Sequence, residues 1–310
     1  MAATALVYSK AHPSSKWMMS AALPAFLAEV VFYLASVFEA TRERFSRIGS
    51  GRSKATLLWL SALIPYGLFA LSAGTFRANA FEVLALLTGV LSFWYVLLPR
   101  RIVYDAGFLV IAAAVVVSRV FVRIYYAPDG SLRLDILGHL MWIRLGIAAL
   151  LILRQWDPGA FGFWPKLREW RLGAMYYLAL IAPLVTVALA LHDVRFEPRP
   201  GPWWRTAAIG AGALFGTLWV VALGEELMFR GVIERALLKG WRSPVLAIVL
   251  SAVLFGSAHL WFHTFPDWRR ALIATLLGLA CGAGYWQTGS VRVPMVTHAF
   301  VVATWRVFFR

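Results

Sequence analysis

The chain has 310 residues; 61% are hydrophobic, only 15% are charged, and the formal net charge is +15. A soluble globular chain carries about 25% charged residues, so this one lacks the polar side chains to cover a surface facing water. The basic excess comes without a long basic run or a nucleic-acid motif, which argues for no nucleic acid among its partners. Arg and Lys sit instead between apolar stretches, where topology signals and contacts to anionic membrane lipids belong.

Residues 1–16 are polar, with Lys10 and Lys16 ahead of the apolar stretch 17–38. That stretch is longer than a signal-peptide core and no small-x-small cleavage site follows it, so it predicts a retained transmembrane helix. Crossing a bilayer takes about 20 mostly apolar residues. Stretches of near that length recur at 55–74, 81–99, 105–126, 136–153, 172–191, 205–228, 243–262, 270–287 and 292–309. The expected fold is therefore all-α, a polytopic transmembrane helical bundle of about ten spans. Fifteen Trp and ten Tyr fit the aromatic belts of membrane interfaces. The expected location is a multi-pass position in the cell (inner) membrane.

The breaks carry loop chemistry: Gly49-Ser50-Gly51, Pro128-Asp129-Gly130, Asp157-Pro158-Gly159, and the stretch from Pro198 to Pro202. Alternate breaks, beginning with the one holding Arg42, Arg44, Arg47, Arg52 and Lys54, are the more basic. This predicts that they face the cytoplasm and that both termini lie outside. The aromatic, basic break from Gln155 to Arg171 is the expected boundary between two domains, 1–155 with about five helices and 160–310. Within the first, Glu29, Asp105, Arg119, His139 and Arg144 are expected to pair between helices or to line a substrate path, pairing being the simpler reading. Cys281, the single cysteine, can form no internal disulfide and has the setting of a small packing residue.

The polar residues of the second half fall into three clusters. The first is Gly224-Glu225-Glu226-Leu227-Met228-Phe229-Arg230. On a helix Glu226 and Arg230 share a face and neutralise each other. Glu225 lies about 100° away without a local partner, and a buried carboxylate of that kind suits a proton acceptor working near neutral pH. The second is Phe255-Gly256-Ser257-Ala258-His259, where small residues allow close helix approach. His263 stands four residues on, a spacing compatible with zinc, but no Glu follows His259 to make the HExxH arrangement. The third is Pro294-Met295-Val296-Thr297-His298.

In this order the three clusters resemble the signature of the CPBP family of intramembrane proteases, the CAAX proteases and bacteriocin-processing proteins. Thr288-Gly289-Ser290 and Phe161-Gly162-Phe163 are similar to the family's approaches to its last motif and to its core, so the resemblance covers roughly residues 160–310. It implies an intramembrane endopeptidase. Glu225 would be the general base on water, His259 would orient that water, His298 would stabilise the oxyanion, and Glu226 with Arg230 would hold the site. That mechanism needs no cofactor. The metalloprotease alternative would use Glu225, His259 and His298 as three zinc ligands with one open position. The implied partner is a membrane-anchored, lipidated or C-terminally tagged protein substrate. One position departs from the pattern: the family usually carries Asn or Asp four residues after the last His, where this chain has Val302. An inactive relative acting as a membrane chaperone, immunity or scaffold protein is therefore the rival expectation. A transporter is disfavoured, because the two halves show no matching broken helices.

Overall fold

A segment inside a bilayer has no water to satisfy its backbone, so its peptide groups must bond within the segment and the apolar runs become helices. The computed structural model describes residues 16–126, 133–198, 201–240, 243–261 and 265–310, and twelve helices form among them. Seven of these are long and apolar enough to cross a membrane, which places the protein among integral multi-pass membrane proteins. Three of the about ten expected stretches fall outside this set by length or composition. The stretch 105–126 is not one helix: Arg119 takes a left-handed backbone (φ +54°) and divides it into Ile102–Val117 and Val120–Ile124, both short of a membrane crossing. The stretch 270–287 is a helix of sufficient length, diluted by Arg269, Arg270 and small residues. The stretch 292–309 is a helix of only 17 residues interrupted by polar side chains.

The chain divides into two compact units, 1–156 and 157–310. In the first, α1 (Lys16–Val37), α2 (Glu39–Ser46), α3 (Gly51–Ser72), α4 (Ala78–Leu97), α5 (Ile102–Val117) and α6 (Val120–Ile124) pack around α7 (Asp135–Leu153). Helix α7 is the inner one: 72% of its apolar window is buried, against 33–39% in α1, α3 and α4. Gly138 makes this possible beside α6, since a Cβ there would lie 2.6 Å from the Phe121 ring. The buried charges of the unit are paired. Arg144 Nε donates to Glu29 Oε1 at 2.7 Å and its Nη1 to Ser61 Oγ at 2.9 Å, tying α7 to α1 and α3. Arg154 makes a two-bond contact with Asp105 at 2.8 and 2.9 Å. His139 Nδ1 meets the Asp135 carbonyl one turn back, and Arg119 is exposed.

The second unit contains α8 (Leu167–Ala190), α9 (Trp203–Gly240), α10 (Pro244–Trp261), α11 (Trp268–Thr288) and α12 (Arg292–Phe308). Leu184, Ala188, Phe255, Ile273, Leu277, Cys281 and Val301 form its apolar core, with Cys281 wholly buried as a packing residue. The Asp157-Pro158-Gly159 turn lies on the turn between α11 and α12. Ala160 N–H donates to Gly289 O and Val291 N–H to Ala160 O, both at 2.9 Å, and Tyr285 Oη donates to Pro158 O at 2.8 Å. Gly159 (φ +84°) and Gly289 (φ +62°) are required there, because a Cβ on Gly159 would collide with the Gly289 carbonyl. Below this turn Glu169 of α8 binds Ser290 Oγ at 2.6 Å and Arg292 Nη2 at 2.9 Å, fixing the start of α12.

Removing one partner of a buried ion pair leaves an uncompensated charge, at a cost of about 3–5 kcal/mol. Glu29→Ala is therefore expected to lower stability by about that amount, while Glu29→Ala combined with Arg144→Met recovers most of it. Thermal unfolding of the two variants in one detergent checks the comparison.

Candidate functional site

Helix α9 carries the acidic motif, and it does not run as a uniform α-helix. The turns at Thr217–Ala222 and Leu227–Glu234 are wide π-helical turns on either side of Leu223–Glu226. Such turns are uncommon and collect at functional sites, because the extra residue per turn re-aims side chains that an α-helix would place elsewhere. Here they present Glu226, Arg230 and Glu234, spaced by four, to the interior, where all three are wholly buried. Glu225, next in sequence, keeps a side chain one-third exposed.

Arg230 is the centre of the cluster. Its Nη1 lies 3.0 Å from Glu226 Oε2, its Nη2 donates to the Gly278 carbonyl of α11 at 3.0 Å, and its guanidinium sits 4.6 Å over the Phe255 ring of α10. The other carboxylate oxygen of Glu226 accepts from His298 Nδ1 of α12 at 2.8 Å. Glu225 Oε2 stands 4.0 Å from Nε2 of the same imidazole. The two glutamates therefore face opposite nitrogens of His298, Glu226 within hydrogen-bond distance and Glu225 at 4.0 Å, beyond it.

The helices reach these distances through small residues. Gly173 of α8 lets α12 approach, since a Cβ there would lie 2.6 Å from Val296, and Thr297 Oγ1 donates to the Gly173 carbonyl at 3.0 Å. The neighbouring His298 is thereby held nearly buried. Gly256 and Gly278 do the same between α10 and α11: a Cβ on Gly256 would collide with Thr275, and one on Gly278 would lie 3.0 Å from Ala252. Ser251 Oγ donates to Phe229 O at 3.0 Å, tying α10 to the motif on α9.

His259 falls at the end of α10, in a short 3-10 turn. Its Nδ1 meets the Phe255 carbonyl at 2.9 Å, and its ring lies 4.8 Å from the Phe255 ring, which also meets His298 edge to face at 5.8 Å. The structure thus joins Glu226, Arg230 and His298 by direct polar contacts, brings Glu225 to 4.0 Å from His298 and sets His259 against the same phenyl ring as His298. His263 lies outside the described residues. Among the described residues no group of three His, Cys, Asp or Glu is arranged to hold a metal ion. Val302, one turn beyond His298, is half-buried and supplies no polar group. Two contributors had no signal in the three motifs: Glu169, which fixes the start of α12, and Glu234, whose eight-residue offset from Glu226 is visible only as a pattern.

Chemically, the cluster offers a partly exposed carboxylate beside an imidazole whose other nitrogen is fixed by a second, buried carboxylate. Residues 207–304 match the family model described as Rce1-like, type II CAAX prenyl endopeptidase. Neither the comparison with curated proteins nor that with solved structures finds a match.

The two adjacent glutamates are expected to differ sharply in stability. Glu226→Leu strands Arg230 in the interior and is expected to lower stability by about 3–5 kcal/mol. Glu225→Gln touches a partly exposed side chain and is expected to stay within about 0.5 kcal/mol of the parent. Denaturant unfolding of both variants in the same detergent measures the difference.

Proposed function

We propose that this chain, whose residues 207–304 match the Rce1-like type II CAAX prenyl endopeptidase model, is an intramembrane endopeptidase. It hydrolyses a peptide bond in a membrane-anchored or lipidated protein, a prenylated CAAX tail being one such substrate and a C-terminal sorting helix another. The observation that carries the reading is the placement of Glu225 and Glu226 on opposite nitrogens of His298.

The chemistry follows from that placement. Peptide hydrolysis needs a base for water and a donor for the oxyanion that forms as water adds. Glu225, partly exposed at the edge of the cluster, takes a proton from water while His259 orients it. The resulting hydroxide attacks the carbonyl carbon, and the carbonyl oxygen gains the charge. His298, with Nδ1–H fixed on Glu226, donates from Nε2–H to that oxygen when its ring is doubly protonated. As the tetrahedral intermediate collapses, the C=O bond re-forms, the C–N bond breaks and Glu225 returns the proton to the departing amine nitrogen. Arg230 stays out of the reaction and holds Glu226 in place.

Val302 favours a second reading, a relative that keeps the fold and has lost the activity, because a donor is missing where the family usually has Asn or Asp. Removing one oxyanion donor costs about 10²–10³ in rate, which leaves room for slow catalysis by the remaining groups.

The test profiles the N- and C-termini of membrane and secreted proteins in the native host carrying wild type, Glu225→Gln or His259→Ala. In the protease reading the same set of new termini disappears in both variants at unchanged protein level, with Glu225→Gln about a hundredfold or more slower on any substrate so identified. Termini that are indifferent to both substitutions, with a phenotype only on deletion of the whole gene, assign the chain to the inactive class.

A further inference from the structure

A recess of about 480 Å³ lies wholly within the first unit. It is lined by Ser50, Gly51 and Arg52 at the start of α3, Tyr95 near the end of α4, Arg100 in the link to α5 and Leu153 at the end of α7. Two guanidiniums line it and no carboxylate does. The first N–H groups of a helix have no carbonyl partner inside it. Ser50 Oγ accepts from Ser53 N–H at 3.3 Å, which leaves the N–H groups of Gly51 and Arg52. With the helix dipole these favour an anion. Arg52 is exposed and pairs with no carboxylate among the described residues. Arg100 is fixed by Nη1 to Gln155 Oε1 and Nη2 to Leu153 O, both at 2.9 Å. Those acceptors are neutral, so its charge is not cancelled. Water alone could serve such a helix end, and it is Tyr95 that points to a ligand. Tyr95 is 6% exposed, and its hydroxyl oxygen is buried without a hydrogen-bond partner. The charged groups around it, Asp105 and Arg154, are engaged with each other in a two-bond contact. Its ring is packed on Phe108 with centroids 5.0 Å apart, so the hydroxyl is held where it stands. Buried hydroxyls are nearly always bonded, and beside two cationic side chains the partner this one fits is an acceptor anion.

We propose that this recess binds a phosphate group, with donors from the Gly51 and Arg52 amides, the Arg52 and Arg100 guanidiniums and the Tyr95 hydroxyl. Donors converging from three elements call for a ligand with more acceptor oxygens than the two of a carboxylate, and phosphate supplies them in the geometry that arginine matches. The recess sits at the ends of three membrane-spanning helices, α3, α4 and α7, beside the basic break that holds Arg42, Arg44 and Arg47. Lipid phosphates lie at that level of a bilayer, and such breaks attract anionic lipids. The headgroup of an anionic phospholipid and a free phosphate present the same chemistry to the site. Nothing in this assignment depends on the protease reading.

The test measures equilibrium binding to the full chain in micelles of a neutral, phosphate-free detergent. The salt is about 0.15 M, where attraction between exposed charges is largely screened. Radiolabelled phosphatidylglycerol and radiolabelled inorganic phosphate are the two probes. At least one is expected to bind saturably, one per chain. Arg52→Gln and Tyr95→Phe are each expected to weaken that binding about tenfold or more, the usual effect of losing a hydrogen bond to a charged group. Tyr95→Phe carries the most weight, because it keeps the ring and the net charge and removes only the hydroxyl. Arg44→Gln removes an exposed cation of the same break that does not line the recess, and it is expected to leave the affinity within about twofold. Bound phosphatidylglycerol that inorganic phosphate does not displace assigns the site to a lipid headgroup. Inorganic phosphate that binds by itself and displaces the lipid assigns it to the phosphate group whatever carries it. The proposal is overturned if neither probe binds saturably, if binding is indifferent to Tyr95→Phe and Arg52→Gln, or if Arg44→Gln weakens it as much as they do.

Discussion

A guanidinium with no exposed surface, placed among helices that are themselves mostly apolar, constrains the whole second unit. Burying a charge is tolerable only when it is paired and hydrogen-bonded, and Arg230 obtains its partners from three helices: Glu226 on α9, the Gly278 carbonyl on α11 and the Phe255 face on α10. Glu226 passes the constraint on to α12 through His298. Four helices are thus registered against one another by one cationic group. The glycines at 173, 256, 278 and 282 are the means by which the backbones come close enough for those contacts. The first unit repeats the principle with Arg144, which joins α7 to α1 through Glu29 and to α3 through Ser61.

The same constraint explains the division of labour between two adjacent, chemically identical residues. Glu226 is consumed by structure: one oxygen faces Arg230 and the other accepts from His298. Glu225, about 100° around the helix, escapes that network, keeps one-third of its side chain exposed and faces the remaining imidazole nitrogen. Wide turns on both sides of the pair leave a short α-helical segment in the middle, so the two carboxylates diverge by the ordinary helical angle while their neighbours are re-aimed.

The composition and the spacing of apolar runs made the all-α membrane fold legible, because the bilayer allows few alternatives. The number of spans was less legible. A single left-handed residue, Arg119, breaks a run that looks continuous, and helices α11 and α12 trade hydropathy for the small and polar residues that pack them inward. In the cluster, Glu225, Glu226, Arg230, His259 and His298 could be singled out because their types and spacings form motifs. Which glutamate bonds His298 could not be known, since it depends on how α9 meets α12. Glu234 could not be distinguished from a helix-end surface charge: Arg235 and Lys239 follow it in the sequence, and only the approach of Gly282 shows that it is inside. Arg144 and Glu29, separated by 115 positions, show the same limit, since each was recognisable as an expensive buried charge but only the packing of α7 on α1 makes them a pair.

Phe255 touches Arg230, Phe229, His259 and His298 with one phenyl ring. In a mutational scan this position will therefore score like a member of the polar cluster although it has no polar group of its own. Its sensitivity will be to shape and not to polarity: a smaller aliphatic side chain loosens both histidines and the guanidinium at once, so three apparently separate defects share one steric origin. Ranking positions by loss of function alone will thus overcount the chemistry of this protein by at least this residue, and a ring-for-ring replacement is the comparison that separates a scaffold from a reagent.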